Sequence, residues 1–193
     1  MANNRILYIP VDGTPDQIVF CDAAGDFSPT TANDLRDATS GNRTTCQLSL
    51  ASVADAAARQ SAKVDLGAKW ARAYMVRIAL EYASGVAAGD ITRLYWGASQ
   101  SATAGNGNPG NLSGSDAGYT GYSSNLTDSL YHLQEIGAIR ATAQATATIQ
   151  VADVGIFSPT ERYGMLVVVA GDDLHTDDVE MHVVFDPIVD EVQ

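Results

Sequence analysis

The chain has 193 residues, 46% of them hydrophobic, and a formal net charge of −12 from 11 basic and 23 acidic side chains. A chain of this length can bury roughly 70% of its unfolded surface, so one domain without disulfides is expected. The acidic charge disfavours phosphate backbones and anionic lipids, and no apolar run approaches the ~20 residues that span a bilayer, so we expect neither nucleic acid nor a membrane as a partner.

The N-terminal region combines two strand-like runs with a polar segment. β-rich runs occur at residues 6–11 and 17–21, and no apolar signal peptide precedes them, which favours synthesis in the cytoplasm. Residues 22–45 are rich in Asp, Thr, Asn, Gly and Pro, with Phe27 and Leu35 as the large apolar anchors. Because such a segment has little apolar surface to bury, we expect an extended arm that is mobile in the free protein and ordered against a neighbouring subunit.

Residues 47–51 form the next predicted strand, and residues 52–61 are the candidate for a helix. Ser52 has the side chain of a helix N-cap, and the alanines that follow favour helix. Alanine in a β-rich chain also serves close packing, so a short helix and no helix stay equal alternatives here.

The clearest strand pattern lies in residues 73–82, where apolar side chains alternate with others that include Arg77 and Glu81. Alternation with a period of two predicts a half-buried strand. A second strand is predicted over residues 91–96, and the small residues and glycines between the two favour a tight connection. We therefore expect these strands to form a hairpin.

A long tract of small and polar residues follows, from residue 97 to residue 125. Loops of this length are usually functional or mobile. Residues 105–110 satisfy the letters of the G-x-G-x-x-G dinucleotide-binding pattern. That motif needs a strand directly before it and a helix directly after it, and the sequence predicts neither, so we do not expect nucleotide binding.

Four further strands are predicted towards the C-terminus, at residues 130–140, 148–157, 163–170 and 179–186. Residues 171–178 contain several aspartates, which suit a turn, so the last two strands are expected to form a hairpin. Beyond Arg162 there is no basic Lys or Arg, so this hairpin should be strongly negative.

The nine short strands with little helix predict an all-β fold. We expect a single antiparallel β-sandwich, jelly-roll-like, with an extended N-terminal arm and at most one short helix. Residues 1–45 are assigned to the N-terminal strands and the arm, and residues 46–193 to the β-sandwich domain.

Side chains able to carry chemistry are present, but no sequence pattern groups them. Residues 172–182 hold carboxylates and two histidines, yet their spacing fits no EF-hand loop. No G-x-S-x-G or H-E-x-x-H pattern occurs. We therefore expect a protein that is not an enzyme, assign no catalytic, cofactor-binding or metal-binding residue and expect no cofactor; whether the acidic hairpin at residues 171–182 binds a cation stays open.

The two cysteines, Cys21 and Cys46, form neither a C-x-x-C motif nor a four-ligand zinc set. A protein made in a reducing compartment keeps such thiols reduced. We expect two free thiols rather than a disulfide.

Four stretches of the chain carry a further signal, at residues 54–67, 94–110, 155–169 and 182–188. The second reads LYWGASQSATAGNGNPG, and the third reads GIFSPTERYGMLVVV. Together they resemble a family of tailed-phage virion structural proteins, over approximately residues 46–188. The resemblance implies a β-structured, non-enzymatic component of the particle.

From this resemblance we expect a capsid decoration or cement protein on the outer capsid surface of the virion, made in the host cytoplasm. The expected partners are the major capsid protein, whose shell it would stabilise, and further copies of this chain, with a trimer favoured. A phage tail or neck component is the alternative within this class. The alternative of another class is a carbohydrate-binding or glycan-hydrolysing module. The aromatic side chains available for stacking on sugar rings would be Tyr95, Trp96, Tyr119 and Tyr122.

Overall fold

The computed structural model describes residues 16–68, 70–83, 85–145 and 148–188. Within these ranges the chain forms two β-sheets that pack face to face, together with one short α-helix. The all-β sandwich predicted from the sequence is therefore confirmed. The strand predicted at residues 6–11 lies outside the described residues.

The strands are β1 (Gln17–Cys21), β2 (Arg43–Gln47), β3 (Ala58–Gln60), β4 (Val64–Asp65), β5 (Ala73–Glu81), β6 (Ile91–Ser99), β7 (Ala117–Tyr119), β8 (Gln134–Arg140), β9 (Ile149–Phe157), β10 (Tyr163–Val169) and β11 (His182–Ile188). The helix α1 spans Leu126–Leu130. The five-stranded sheet has the order β2-β1-β11-β5-β9. The six-stranded sheet has the order β7-β3-β10-β6-β8, and β4 also pairs with β10.

The strand order is that of a jelly roll, in which the first half of the chain pairs with the second half in reverse order. β1 pairs with β11, β3 with β10, β5 with β9 and β6 with β8, all antiparallel. The chain is thus one long hairpin wound into two sheets. The jelly-roll-like prediction is confirmed, although β1 and β2 run parallel to each other.

Both predicted hairpins are wrong. β5 lies in the five-stranded sheet and β6 in the six-stranded sheet, so the connection between them crosses from one sheet to the other. The same is true of β10 and β11. In a wound hairpin, strands adjacent in sequence cover opposite sides of the core and take their hydrogen-bond partners from the other half of the chain.

The core lies between the sheets and centres on the buried indole ring of Trp96. Trp96 belongs to β6, and its ring contacts three phenylalanine rings of the five-stranded sheet. The centroid distances are 6.5 Å to Phe20, 5.2 Å to Phe157 and 5.7 Å to Phe185. Burying one such side chain stabilises the fold by about 1.5–3 kcal/mol, so this cluster is a main contact between the two sheets.

Residues 22–42, which we call the strap, lie against the outer face of the five-stranded sheet. Phe27 and Leu35 of the strap pack on a small apolar cluster formed by Val19, Cys21 and Val184. The prediction that this segment has too little apolar surface to pack against its own domain is therefore wrong. Two anchors suffice because β1 and β11 present apolar side chains on their outer face as well as towards the core.

The boundary predicted at residue 45 lies inside a strand of the five-stranded sheet. β1 is paired on both sides within the five-stranded sheet, and β2 runs across the predicted boundary. The predicted strand at residues 47–51 is wrong, because β2 ends at Gln47. The residues that follow form a connection, and their apolar side chains cover the core from there. Residues 52–61 contain turns and β3 instead of a helix, and the one short helix described is α1.

Cys21 and Cys46 are both free, as predicted. Cys46 pairs with Phe20 in the β1–β2 ladder and faces the core, whereas Cys21 faces the strap. Successive residues of a strand point to opposite faces of the sheet, so the sheet itself separates the two thiols.

Gly164 on β10 leaves room for the indole ring of Trp96, because a Cβ at this position would overlap with the ring. We predict that Gly164→Ala lowers the free energy of unfolding by about 1–3 kcal/mol, the usual cost of overpacking a core. The matched control is Gly118→Ala on β7, where a Cβ would meet no atom within 4 Å. Thermal denaturation measures both variants, and equal melting temperatures would contradict this packing.

Candidate interaction surfaces

Residues 100–133, which we call the insertion, connect β6 to β8 at the tip of the wound hairpin. Their apolar side chains pack on the outer face of the six-stranded sheet. The packed residues of the insertion include Leu112, Tyr119, Leu126, Leu130 and Leu133, and those of the sheet include Ala58, Tyr95, Met165 and Val167. The tract that the sequence indicated as a long loop is therefore a cover with a small core of its own.

The ammonium group of Lys63 organises the first part of the insertion. Its Nζ donates to four oxygens at 2.7–3.0 Å, namely the Ser99 hydroxyl and the backbone carbonyls of Ser101, Thr103 and Asn106. The ammonium group shares its three N–H donors among these four acceptors, so the loop folds around the positive charge of Lys63. Burial lowers the pKa of the Lys63 amine.

The glycine-rich residues 105–110 belong to this loop. β6 ends at Ser99, well before them, and their last two residues belong to a 3-10 turn, Pro109–Asn111, with no α-helix directly after it. The strand and helix between which a dinucleotide motif binds pyrophosphate do not flank this motif in the described chain.

Two further polar contacts fasten the insertion to β3. Arg59 forms a two-point ion pair with Asp116, with N–O distances of 2.7 and 2.8 Å. The side-chain oxygen of Gln60 accepts the backbone N–H of Ser113 at 2.8 Å. Two-point guanidinium–carboxylate pairs fix orientation as well as distance, so the insertion is held as a defined part of the domain.

The outer side of the insertion carries an aromatic surface, formed by Tyr122, Tyr131 and His132. Tyr131 follows α1 directly and is 84% exposed, and Tyr122 is 51% exposed. The rings of Tyr122 and His132 pack edge to face with centroids 5.8 Å apart. Large, rigid aromatic side chains provide much contact area at little entropic cost, so they are typical of surfaces that bind proteins or sugars.

A second exposed surface, the apolar face, lies on the part of the five-stranded sheet beside the strap. It consists of Met75 on β5, Ile156 on β9 and Ile188 at the end of β11, with Val151 further along β9, beyond the register pair of Arg77 and Asp153. Ile156 is 63% exposed and Val151 is 47% exposed, and Ile156 is the register partner of the half-buried Met75. Single exposed aliphatic residues are common, but a group of them on one sheet face indicates a contact surface.

The acidic C-terminal residues separate in the structure instead of forming one hairpin. Oδ2 of Asp178 accepts the Ser49 hydroxyl at 2.9 Å and the backbone N–H groups of Leu50 and Ala51 at 3.1 and 3.2 Å. Asp178 thereby holds the connection between β2 and β3. In the part of the chain that the structure describes, no group of three His, Cys, Asp or Glu side chains is arranged to hold a metal ion.

Glu81 and His175 lie close together, with Oε1 of Glu81 and Nδ1 of His175 3.5 Å apart. Burial raises the pKa of Glu81, Asp177 and Glu180 raise it further, and His175 opposes them. The backbone N–H of His175 also donates to the backbone oxygen of Glu81 at 2.9 Å. This pair therefore joins the connections that follow β5 and β10.

The structure separates the four aromatic residues that the sequence suggested for sugar stacking. Trp96 lies in the core, and Tyr119 is buried with its hydroxyl donating to the Gly110 carbonyl at 2.6 Å. Tyr95 is half-buried beneath the insertion, so Tyr122 is the exposed member of the four.

Tyr131 is the exposed aromatic residue that the sequence reasoning missed. The signal for it lies in Asn125 and Asp128, since Asn125 caps α1 by accepting the Asp128 backbone N–H at 3.2 Å. Asn followed three residues later by an acid is a helix-start pattern. It indicates a short helix whose end presents Tyr131 to solvent.

Comparison with known proteins adds no relative, because no family model, curated protein or solved structure matches the chain. Among the described residues, no helix is both long enough and apolar enough to cross a membrane. The function is therefore inferred from the fold, the surfaces and the sequence resemblance.

Lys63→Met keeps a long side chain but removes the charge and its three donors. The carbonyls around it then lose their partner, so we predict faster amide exchange across residues 99–114 and a loss of about 1–3 kcal/mol in the local stability of the insertion. Hydrogen-exchange mass spectrometry measures this directly.

The matched control for Lys63→Met is Arg162→Gln, which removes a basic side chain from an exposed ion pair with Asp65. It should leave exchange across residues 99–114 unchanged, because exposed pairs contribute little. Wild-type exchange rates in Lys63→Met would show that the ammonium group does not organise the loop.

Proposed function

We propose that the protein is a structural component of a bacteriophage virion, a capsid decoration or cement protein that stabilises the shell of the major capsid protein from its outer surface. The resemblance of residues 46–188 to tailed-phage virion proteins supports this proposal. The jelly roll is also an architecture of viral capsid domains, although it serves lectins and other proteins as well. A fold alone does not define a function, so the surfaces have to support it.

Exposed apolar surfaces on both outer sides of one rigid sandwich are the observation that carries this proposal. The aromatic surface lies over the six-stranded sheet, and the apolar face lies on the five-stranded sheet. A cement protein has to contact at least two neighbours at once. Two contact areas on one rigid body allow this, because the first contact raises the effective concentration for the second.

The two surfaces differ in chemistry, which suggests different partners. Interfaces between identical subunits are the more apolar class, and aliphatic sheet surface such as the apolar face suits them. Tyrosine is enriched in protein interfaces and among the residues that contribute most to their affinity. We therefore assign the apolar face to contacts between copies of this chain, with a trimer favoured, and the aromatic surface to the major capsid protein.

Tyr131→Ser removes the most exposed aromatic ring of the aromatic surface. We predict that this variant binds at least about tenfold more weakly to virus particles that lack the protein, as expected for a central interface aromatic. Its melting temperature should stay close to that of the wild type, because the ring is exposed. Co-sedimentation with particles measures the binding, and wild-type affinity would contradict the assignment.

Ile156→Ser on the apolar face is the matched control. It should weaken self-association, measured by analytical ultracentrifugation, while the intrinsic contact between one subunit and the capsid is retained. Loss of capsid binding by both variants to the same extent would mean that the two surfaces act as one.

Carbohydrate binding is a second candidate, because Tyr131 and Tyr122 are exposed and aromatic rings stack on sugars. A glycan array with wild type and Tyr131→Ser separates the two functions. Glycan binding that Tyr131→Ser abolishes, together with unchanged sedimentation on particles, would favour the carbohydrate-binding module over the cement protein.

A further inference from the structure

His182 is buried between the five-stranded sheet and the strap, and its ring connects the two. Nδ1 lies 2.7 Å from the backbone oxygen of Glu180, and Nε2 lies 3.1 Å from the backbone nitrogen of Leu35 in the strap. The Leu35 N–H must donate to Nε2, so the ring donates from Nδ1 and is neutral. A protonated ring has no acceptor to offer this amide.

Several side chains of the sheet and its connections hold the strap besides His182. Arg43 on β2 donates to the Asp37 carbonyl at 2.6 Å, and Gln47 on β2 donates to the Asp22 carboxylate at 2.6 Å and accepts the Ala24 backbone N–H at 3.1 Å. The Ser28 backbone N–H donates to the Val179 carbonyl at 2.8 Å. Glu180 accepts the backbone N–H of Thr30 at 3.2 Å and the side-chain amide of Asn33. Gln17 donates to the Leu35 carbonyl at 3.0 Å and accepts the backbone N–H of Asp37 at 2.7 Å. Within the described residues the strap forms no ladder with a strand, so it can open locally while the sandwich stays folded.

We propose that the strap is an acid-released cover: protonation of His182 breaks its hydrogen bond to the Leu35 amide and frees residues 22–42 from the five-stranded sheet. Opening uncovers Cys21 and the apolar side chains of Val19 and Val184. This inference does not depend on the proposed function.

The charged groups of the strap and of the turn before β11 act on the ring in opposite directions. Arg36 disfavours a charge on His182, whereas Asp34 and Glu180 favour one. Burial is the largest effect and lowers the pKa of His182, so the closed form keeps the ring neutral.

The other two strands that flank the ring are β5, which carries Arg77 and Glu81 two residues to either side of the position opposite His182, and β1. β5 contributes Ala79, the register partner of His182. β1 contributes the thiol of Cys21, whose pKa burial raises to about 12. Protonation of His182 places a buried positive charge beneath the strap, and Asp34 and Glu180 are the anions that favour this charge.

The sign of the pH effect follows from the lowered pKa. The open form has the ordinary histidine pKa of 6.5 and binds the proton more tightly than the closed form. The closed strap is therefore most stable above this pH. As the pH falls below it, the ratio of open to closed strap rises by up to about tenfold per pH unit, until the pKa of the closed form is reached.

Cys21 and Cys46 together report where the protein opens. Cys21 is buried under the strap, whereas Cys46 faces the core on the other side of the same sheet. Opening of the strap exposes Cys21 alone, and global unfolding exposes both. Labelling with dithiodipyridine, which reacts with thiols at acid pH, and mapping by mass spectrometry distinguish the two events.

The experiment compares the wild type with His182→Gln at about pH 7.5 and about pH 5.5. The side-chain oxygen of glutamine reaches the place of Nε2 and accepts an amide hydrogen, but it does not titrate. Comparing the two proteins at the same pH cancels the pH dependence of the reagent. Phe27→Ala, which removes an anchor of the strap, is the positive control and should label at both pH values.

At about pH 5.5 we expect Cys21 of the wild type to react about five to ten times faster than Cys21 of His182→Gln, with equal rates at about pH 7.5 and Cys46 unlabelled throughout. Equal rates at acid pH overturn the proposal. Labelling of Cys46 together with Cys21 also overturns it, because the response would then be global unfolding.

His132→Gln and His175→Gln remove the other two histidines and should retain the acid response; its loss in either variant would overturn the assignment to His182.

If His182→Gln does not fold, amide exchange of the wild type decides. Protection of residues 28–37 that falls at acid pH while β10 stays protected supports the proposal, and protection that is independent of pH overturns it.

Discussion

The contact of Trp96 with Phe20, Phe157 and Phe185 is the interaction on which the rest of the structure depends. These four rings come from strands that lie far apart in the chain, and they meet only when the long hairpin has wound into two facing sheets. The inner faces of both sheets are buried in this core. Any surface for a partner therefore has to lie on the outer faces or in the connections between strands.

The two outer faces are covered in different ways. The insertion has its own apolar core, the Lys63 loop and the two-point pair of Arg59 with Asp116, so it is a permanent part of the domain. The strap rests on two apolar anchors and on hydrogen bonds to Gln17, Arg43, Gln47, Glu180 and His182. One cover is suited to present a fixed surface, and the other is suited to open.

Much of the fold could be predicted from the sequence, because alternation and apolar runs identify strands such as β1, β5 and β9. The partners of these strands could not be predicted. Alternation records which face of a strand is buried, whereas pairing depends on how the whole chain winds. Two connections with turn-like sequences therefore read as hairpins although they cross between the sheets.

The sequence contains a pattern that indicates both the strap and the insertion. Residues 18–21 and 165–169 are continuous apolar runs, which is typical of strands buried on both faces. A strand in a two-layer sandwich is buried on both faces only where something covers its outer side, so these runs already indicated the two covers. The Lys63 loop gave no such signal, because its acceptors are mainly backbone carbonyls, which every residue type carries.

The proposal that both outer surfaces bind neighbours on a phage capsid is tested most directly by quantitative mass spectrometry of purified particles. We expect the chain to be present in the particle at a copy number of the same order as that of the major capsid protein. Absence from the particle, or the few copies expected of a single ring in the neck or tail, would contradict it.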